Sequence, residues 1–125
     1  KITQYISRWR PEAAVSGLAL EIFSQIIERE SLIRNICKEI NLVRDEFIRA
    51  VKEIKPSWQA LPANANYVTF FVNQDDAATI KIELQNQGFL IKDLSAQHGL
   101  INCIRIGIAH TAIMTGVIAA IKLLA

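Results

Sequence analysis

The sequence predicts a two-layer α/β domain of the α+β kind, with helices packed on one side of a small mixed or antiparallel sheet. Isoleucine takes every second position from Ile104 to Ile108, which is the period of a strand with one apolar face. A longer apolar stripe between Ile33 and Ile54 advances by three or four residues, which is the period of a helix. The expected order is a helix, a long helix and then β-α-β-β-α, and these elements can enclose one core between two layers.

The composition bounds the class of protein. With 125 residues, residues 1–125 are expected to form a single domain. Hydrophobic residues make up 51% of the chain, so part of the apolar surface is expected to meet a partner or a missing domain. The net charge of +2 gives no reason to invoke nucleic acid or an anionic membrane.

Cysteine usage and the chain ends indicate a cytoplasmic location. Cys37 and Cys103 fit no metal or redox spacing and are predicted to be free, buried thiols in a reducing compartment. The polar and aromatic start shows no signal peptide, and a first residue other than Met is typical of a processed or excised piece. The apolar tail from Ile113 is too short to span a bilayer.

The first half of the chain is predicted to be helical. Residues 1–10 are expected to be a surface connector, followed from about Ala13 by a helix with one apolar face. Ser31 is a candidate cap for the long helix, and Pro56 ends it. The long helix should dock on the sheet through seven apolar positions: Ile33, Ile36, Ile40, Val43, Phe47, Val51 and Ile54.

The second half is predicted to supply the sheet. Residues 67–72 are β-branched and aromatic, as in a strand buried on both faces. A helix over residues 77–87 ends at Gly88, a good residue just past a helix end. Strands are then expected at residues 89–92 and 103–108. Thr111 is a candidate cap for the last helix.

Arg105 is the first candidate binding residue. It lies on the strand face opposite the isoleucines, between the small residues Cys103 and Gly107, so a ligand could approach it closely. Its guanidinium offers a planar fork of donors that fits a carboxylate and stays charged at any working pH. The alternative is an ordinary ion pair at the sheet surface.

Lys92 is the second candidate. If the strands around it and Arg105 are antiparallel neighbours, Lys92 is expected opposite about Cys103, on the same face as Arg105. Two like charges on a buried face repel unless an anion lies between them. The alternative is a solvated lysine paired with Asp93.

Other polar residues give weaker indications. His98 and His110 have no neighbours at metal-ligand spacing, so no metal site is expected. A catalytic triad of Ser95, His98 and Asp93 would need three residues of one flexible loop to meet in triad geometry, which such loops rarely achieve.

Four segments carry a resemblance to a known family. Gly88-Phe89-Leu90-Ile91-Lys92-Asp93 and Cys103-Ile104-Arg105-Ile106-Gly107-Ile108 resemble two strands of the C-terminal small domain of histidinol-phosphate aminotransferases. Ala63-Asn64-Ala65-Asn66-Tyr67-Val68 is similar to the family's strand entry, and Arg10-Pro11-Glu12-Ala13-Ala14-Val15-Ser16 to its approach to a helix. The segments follow one another in the family's order.

The resemblance implies a function for a longer protein. These enzymes have the fold-type-I aminotransferase fold and use pyridoxal phosphate to transfer an amino group to a 2-oxo acid. It implies that Arg105 binds the substrate α-carboxylate and that Lys92, where the family usually has Arg, faces the distal anion. None of the seven lysines has the family's Schiff-base surroundings, so the resemblance implies a cofactor-binding large domain upstream, and a homodimer of the full-length protein. This chain alone is then expected to have no catalytic or cofactor-binding residues and to bind no cofactor covalently.

Two alternatives remain. One is a phosphothreonine decarboxylase-type relative of the same fold. The other is a non-catalytic module that binds a small anion or a protein partner. An upstream coding sequence with a Schiff-base lysine motif would favour an enzyme, and a reading frame that starts near Lys1 would favour the module.

Overall fold

The computed structural model describes residues 15–124, and the chain divides into two compact units, Lys1–Ile36 and Cys37–Ala125. The connector predicted over residues 1–10 and the motif at residues 10–14 lie outside the described residues. The single domain expected over residues 1–125 stays a prediction.

Helix α1 (Gly17–Ile27) belongs to the first unit. It begins after Ser16, whose side-chain oxygen accepts a hydrogen bond from the Ala19 backbone nitrogen at 3.1 Å and so satisfies one of the free N–H groups of the first turn. The predicted helix is confirmed. The apolar side chains along it are exposed, Leu18 to 72%.

Helix α2 (Glu30–Ile54) contains the predicted apolar stripe and ends two residues before Pro56, as predicted. Ser31 lies inside the helix, so its predicted role as a cap is wrong. Burial increases along the stripe: Ile36 is exposed, Val43 is half-buried, and Phe47 and Val51 are fully buried. The stripe therefore enters the core only over its C-terminal half.

The sheet is antiparallel throughout, with the strand order β1-β2-β4-β3. Its strands are β1 (Gln59–Ala60), β2 (Tyr67–Phe71), β3 (Lys92–Asp93) and β4 (Cys103–Gly107). Strand β2 is buried on both faces at its centre, as predicted, with Thr69 on one face and Val68 and Phe70 on the other.

The core covers one face of this sheet. Three helices pack on this face: the end of α2, α3 (Ala77–Asn86) and α4 (Thr111–Lys122). They meet the inward side chains of the two central strands, Val68 and Phe70 of β2 and Ile104 and Ile106 of β4. The ring of Phe47 meets that of Phe70 edge-on, with 6.0 Å between the centroids. This two-layer arrangement confirms the predicted fold class.

Helix α3 begins and ends as its sequence predicts. Asp76 caps its start, and its carboxylate accepts from the Thr79 backbone nitrogen at 2.8 Å. Gly88 has a φ of +87°, and the backbone nitrogens of Gly88 and Phe89 return to the carbonyls of Gln85 and Leu84, both at 2.9 Å. These paired bonds close the last turn as a glycine past a helix end usually does.

Helix α4 departs from its predicted start. His110, and not Thr111, is the capping residue, and its Nδ1 accepts from the Ala112 backbone nitrogen at 3.4 Å.

Cys103 is a buried free thiol as predicted, and burial raises its pKa. Cys37 is free but exposed on α2, so its predicted burial is wrong.

Candidate functional site

The sheet face opposite the core is polar at one end. The antiparallel register places Lys92, Arg105 and Thr69 in one row across β3, β4 and β2, and the neighbouring row holds Gly107 and Tyr67. Cross-strand partners point to the same face of a sheet. The predicted shared face of Lys92 and Arg105 is therefore confirmed.

The predicted register of the two cations is wrong by two residues. Lys92 lies opposite Arg105 and not opposite Cys103. The Leu94 backbone nitrogen donates to the Cys103 carbonyl at 2.8 Å, so the strands stay paired two residues further toward the loop than predicted. Lys92 and Arg105 still share one face, because a register shift of two residues keeps each side chain on the same side of the sheet. A shift of one residue would move it to the other side.

The loop between β3 and β4 explains this longer pairing. Turns close it from within, with Gln97 N donating to Leu94 O at 2.8 Å and Leu100 N donating to Gln97 O at 3.1 Å. Asn102 takes a positive φ of 55°. Its side-chain amide donates to the Asp75 carbonyl at 2.8 Å and accepts from the Ala77 backbone nitrogen at 3.0 Å. These contacts fix the start of β4 against the loop before α3.

A depression of about 450 Å³ opens over the two cations. We call it the Arg105 depression, and its walls come from β2, β4 and the segment before β3. It is lined by Asn66, Tyr67, Leu90, Ile91, Lys92, Arg105 and Gly107. No wall residue is acidic, so an anion entering the depression meets two cations and no opposing carboxylate.

Neither cation has a protein counter-ion within residues 15–124. The ion pairs there involve other groups, and no hydrogen bond from the Lys92 or Arg105 side chain is present. Asp93, the partner considered for Lys92, pairs with Ile104 in the sheet register. Its carboxylate accepts instead from the Ser95 backbone nitrogen at 2.8 Å and hydroxyl at 2.6 Å.

These two hydrogen bonds also stabilise the charged form of the Asp93 carboxylate. The Ser95 hydroxyl first, and then the Ser95 backbone N–H, lower the pKa of the Asp93 carboxyl below its ordinary value, because both donate to its charged form. Ser95 thus contacts Asp93 directly, and His98 makes no hydrogen bond or ion pair within the described residues. The arrangement is a loop turn and differs from a catalytic triad, in which an imidazole stands between the other two groups.

Tyr67 is a site residue that the sequence did not single out. The Cζ atom of Arg105 lies 5.0 Å from the centroid of the Tyr67 ring, within the range of a cation–π interaction. The contact depends on β2 pairing with β4, which places Tyr67 opposite Gly107 and beside Arg105. The signal was the aromatic at the start of residues 67–72, but its neighbour is 38 positions away and becomes known only with the pairing.

The described part of the chain shows neither a metal-binding cluster nor a membrane-spanning helix. Residues 15–124 hold no group of three His, Cys, Asp or Glu side chains that could bind a metal ion. No helix within that range is long and apolar enough to cross a membrane.

Comparison with known proteins supports a relationship to aminotransferases over part of the chain. The sequence is 35% identical over 74 residues to histidinol-phosphate aminotransferase 2 of Nitrosococcus oceani, a match that covers 58% of this chain and 19% of that protein. The chain thus spans about a fifth of the length of this curated relative. No family model matches it.

The fold recurs in a solved enzyme structure. A decarboxylase from Sulfurospirillum multivorans superposes with a TM-score of 0.72, at 19% identity, over 87% of this chain and 32% of the decarboxylase chain. At that identity the likeness concerns the fold alone. Both comparisons match this chain to a minor part of a larger enzyme.

Proposed function

We propose that this chain forms the substrate-carboxylate-binding part of a pyridoxal-phosphate-dependent aminotransferase similar to histidinol-phosphate aminotransferase. The observation that carries the proposal is the direct pairing of Lys92 with Arg105 over an open depression without an acidic wall residue. Like charges directly opposite in a sheet are destabilising, and a bound anion offsets that repulsion. The sequence match to an aminotransferase supports the same reading.

Each cation has its own role in the proposal. Arg105 binds the α-carboxylate of the amino acid and 2-oxo acid substrates, because its two-pronged donor set matches two carboxylate oxygens. Lys92 attracts the second anionic group of the substrate as a point charge on a flexible stem. Cβ atoms of directly opposite residues lie about 4.5–5.5 Å apart, so one small substrate can meet both heads.

The described residues do not by themselves fit the cofactor. Pyridoxal phosphate supplies an electron sink when bound, and enzymes hold it with a Schiff-base lysine and an acidic partner for its ring nitrogen. The walls of the Arg105 depression offer no acidic side chain. Lys55 is engaged by the Leu124 carbonyl at 3.3 Å and by Asp75 at 3.8 Å. The proposal therefore assigns the cofactor, and the amino transfer itself, to the remainder of a longer, homodimeric protein.

A decarboxylase is the second candidate, because the solved structure with the matching fold is one. The same pair of cations would bind an amino acid that also carries a phosphate group. The two candidates share the site and differ in the bond that breaks.

One assay separates the two enzymes. The full-length protein that contains this chain is incubated with pyridoxal phosphate and with either histidinol phosphate plus 2-oxoglutarate or phosphothreonine. Glutamate formation without CO₂ supports the aminotransferase, and CO₂ release supports the decarboxylase. Neither product from a folded, cofactor-loaded protein would contradict both and leave the non-catalytic anion-binding module.

A further inference from the structure

The Arg105 side chain is held on its face without a carboxylate partner. Its guanidinium carbon lies over the Tyr67 ring at 5.0 Å, and no acidic side chain pairs with it within residues 15–124. An arginine that is half-buried beside another cation would otherwise be free to turn away from Lys92 toward water. Within the described range, the Tyr67 ring is the side-chain partner that the structure gives the Arg105 guanidinium.

We infer that Tyr67 is a positioning residue that fixes the Arg105 guanidinium for carboxylate binding while leaving its N–H donors free. This inference rests on the proposed function, since it concerns the same depression. It adds a residue whose role comes from the contact with Arg105 and not from touching substrate.

The physical reason is that a carboxylate and an aromatic ring differ in how they occupy the N–H donors and the charge of Arg105. A carboxylate side chain that oriented Arg105 would accept hydrogen bonds from two of its N–H groups and neutralise its charge. A substrate carboxylate would then have to displace that side chain. A ring attracts the cation through its quadrupole and does not neutralise its charge. Tyr67 can therefore orient the fork without competing for it.

The neighbouring residues agree with this division of roles. Gly107 lies opposite Tyr67 in the register and exposes no side chain, so the ring and the guanidinium can meet beside it. No atom other than its chain neighbours lies within 4 Å of the place where a Gly107 Cβ would be, so that side of the depression is open. Tyr67 is itself half-buried, which limits the ways in which the ring can turn.

The first measurement tests the orientation of Arg105 and does not require the proposed function. The NMR signal of the Arg105 Nε–Hε group is recorded in the 125-residue chain, in Tyr67→Phe and in two ring-free variants, Tyr67→Leu and Tyr67→Ile. Wild type and Tyr67→Phe should show a restricted guanidinium. Either folded ring-free variant should show Arg105 as mobile as the exposed Arg29.

A matched control separates the ring contact from general packing. Phe71→Leu removes an aromatic ring from the same face of the same strand, opposite Cys103, where the structure shows no cation–π contact between that ring and Arg105. It should leave the Arg105 signal unchanged. Retained order of Arg105 in a folded ring-free variant, or equal loss of order in Phe71→Leu, would overturn the inference.

The second measurement adds ligand binding, with succinate as a dicarboxylate probe. Loss of the cation–π contact should weaken succinate binding by about two- to fivefold in the ring-free variants, with Tyr67→Phe and Phe71→Leu like wild type. Full wild-type affinity in the ring-free variants would contradict the inference. Failure of wild-type protein to bind succinate would count against the proposed function, while the order measurement still decides the role of Tyr67.

Discussion

Lys92, which is exposed, and Arg105, which is half-buried, face each other at the scale of single residues, and this pairing is expected to lower the stability of the chain on its own. Directly opposed like charges destabilise an antiparallel pair. Neither side chain is relieved by a carboxylate within residues 15–124. A chain that keeps such a pair gives up some stability at this position, and an anion between the two charges would recover it.

Lys92→Gln should therefore stabilise the chain while weakening anion binding. Relief of the repulsion is expected to raise the free energy of unfolding by roughly 0.2–1 kcal/mol at low salt. The gain should shrink in high salt, because exposed charges are then screened. Urea denaturation at two salt concentrations measures it. Lys38→Gln, on the exposed side of α2, is the control and should change little. A less stable Lys92→Gln chain at low salt would show that the pair does not repel.

Sequence reasoning located the cations but not their surroundings. Alternation along residues 103–108 was enough to place Arg105 on the face away from the core, because that pattern is local. The contact with Tyr67 required knowledge that β2 pairs with β4. Arg44 lies between apolar positions of α2, is 8% exposed and donates to Asp45 and to the Ala65 carbonyl. It lies three residues before Phe47 and so on the same side of α2, where its stem is covered.

Helix α2 carries the apolar stripe, and part of that stripe packs in the core. Its apolar period and its end before Pro56 follow from the sequence alone, whereas its start at Glu30 precedes the predicted cap Ser31. How far the stripe is buried could not be predicted, because burial depends on which elements reach it. Only the half that contains Phe47 and Val51 meets the sheet and its covering helices.

Phe47→Ala should destabilise the chain by about 3–5 kcal/mol. The side chain is 1% exposed and its ring meets that of Phe70, so truncation leaves a cavity and removes an aromatic contact. Leu42→Ala, at an exposed position of the same helix, is the matched control and should shift stability by no more than about 0.5 kcal/mol. Equal denaturation midpoints for wild type and Phe47→Ala would mean that this part of α2 does not hold the sheet.

The hairpin of β3 and β4 shows the limit of sequence reasoning for turns. The apolar run over residues 89–92 predicted a strand there, but the segment from Phe89 first closes the end of α3 and pairing starts only at Lys92. The bond from the Phe89 nitrogen to the Leu84 carbonyl uses the backbone that a strand would have used. Competition between a helix end and a strand start is settled by backbone geometry, which the residue pattern did not reveal.

At the scale of the whole molecule, the chain corresponds to a minor part of two larger enzymes. It matches 19% of an aminotransferase and 32% of a decarboxylase. A complete enzyme of this kind would contribute the cofactor site from residues outside the described range.

The 125-residue chain alone is therefore expected to form no stoichiometric adduct with pyridoxal phosphate. Lys55 is already engaged by the Leu124 carbonyl and by Asp75, and the depression beside Lys92 has no acidic wall residue for the cofactor ring. Borohydride reduction after mixing at equal concentrations, followed by intact mass measurement, tests this. The control is free lysine at the concentration of the chain's lysines. A single reduced adduct on one lysine, formed far faster than on the free amino acid, would place the cofactor within this chain.

The most direct test of the central claim is the effect of Arg105→Lys on kcat/KM in the full-length protein that contains this chain. Lysine keeps the charge and most of the stem but loses the fork, so one charge-assisted hydrogen bond to the carboxylate is lost. That loss corresponds to roughly 1.5–3 kcal/mol, or about a ten- to hundredfold lower kcat/KM for the amino and 2-oxo acid pair, with an unchanged thermal midpoint. Arg49→Lys, on the exposed side of α2, should leave both quantities at their wild-type values. Wild-type kcat/KM in a folded Arg105→Lys protein would contradict the claim that Arg105 binds the substrate carboxylate.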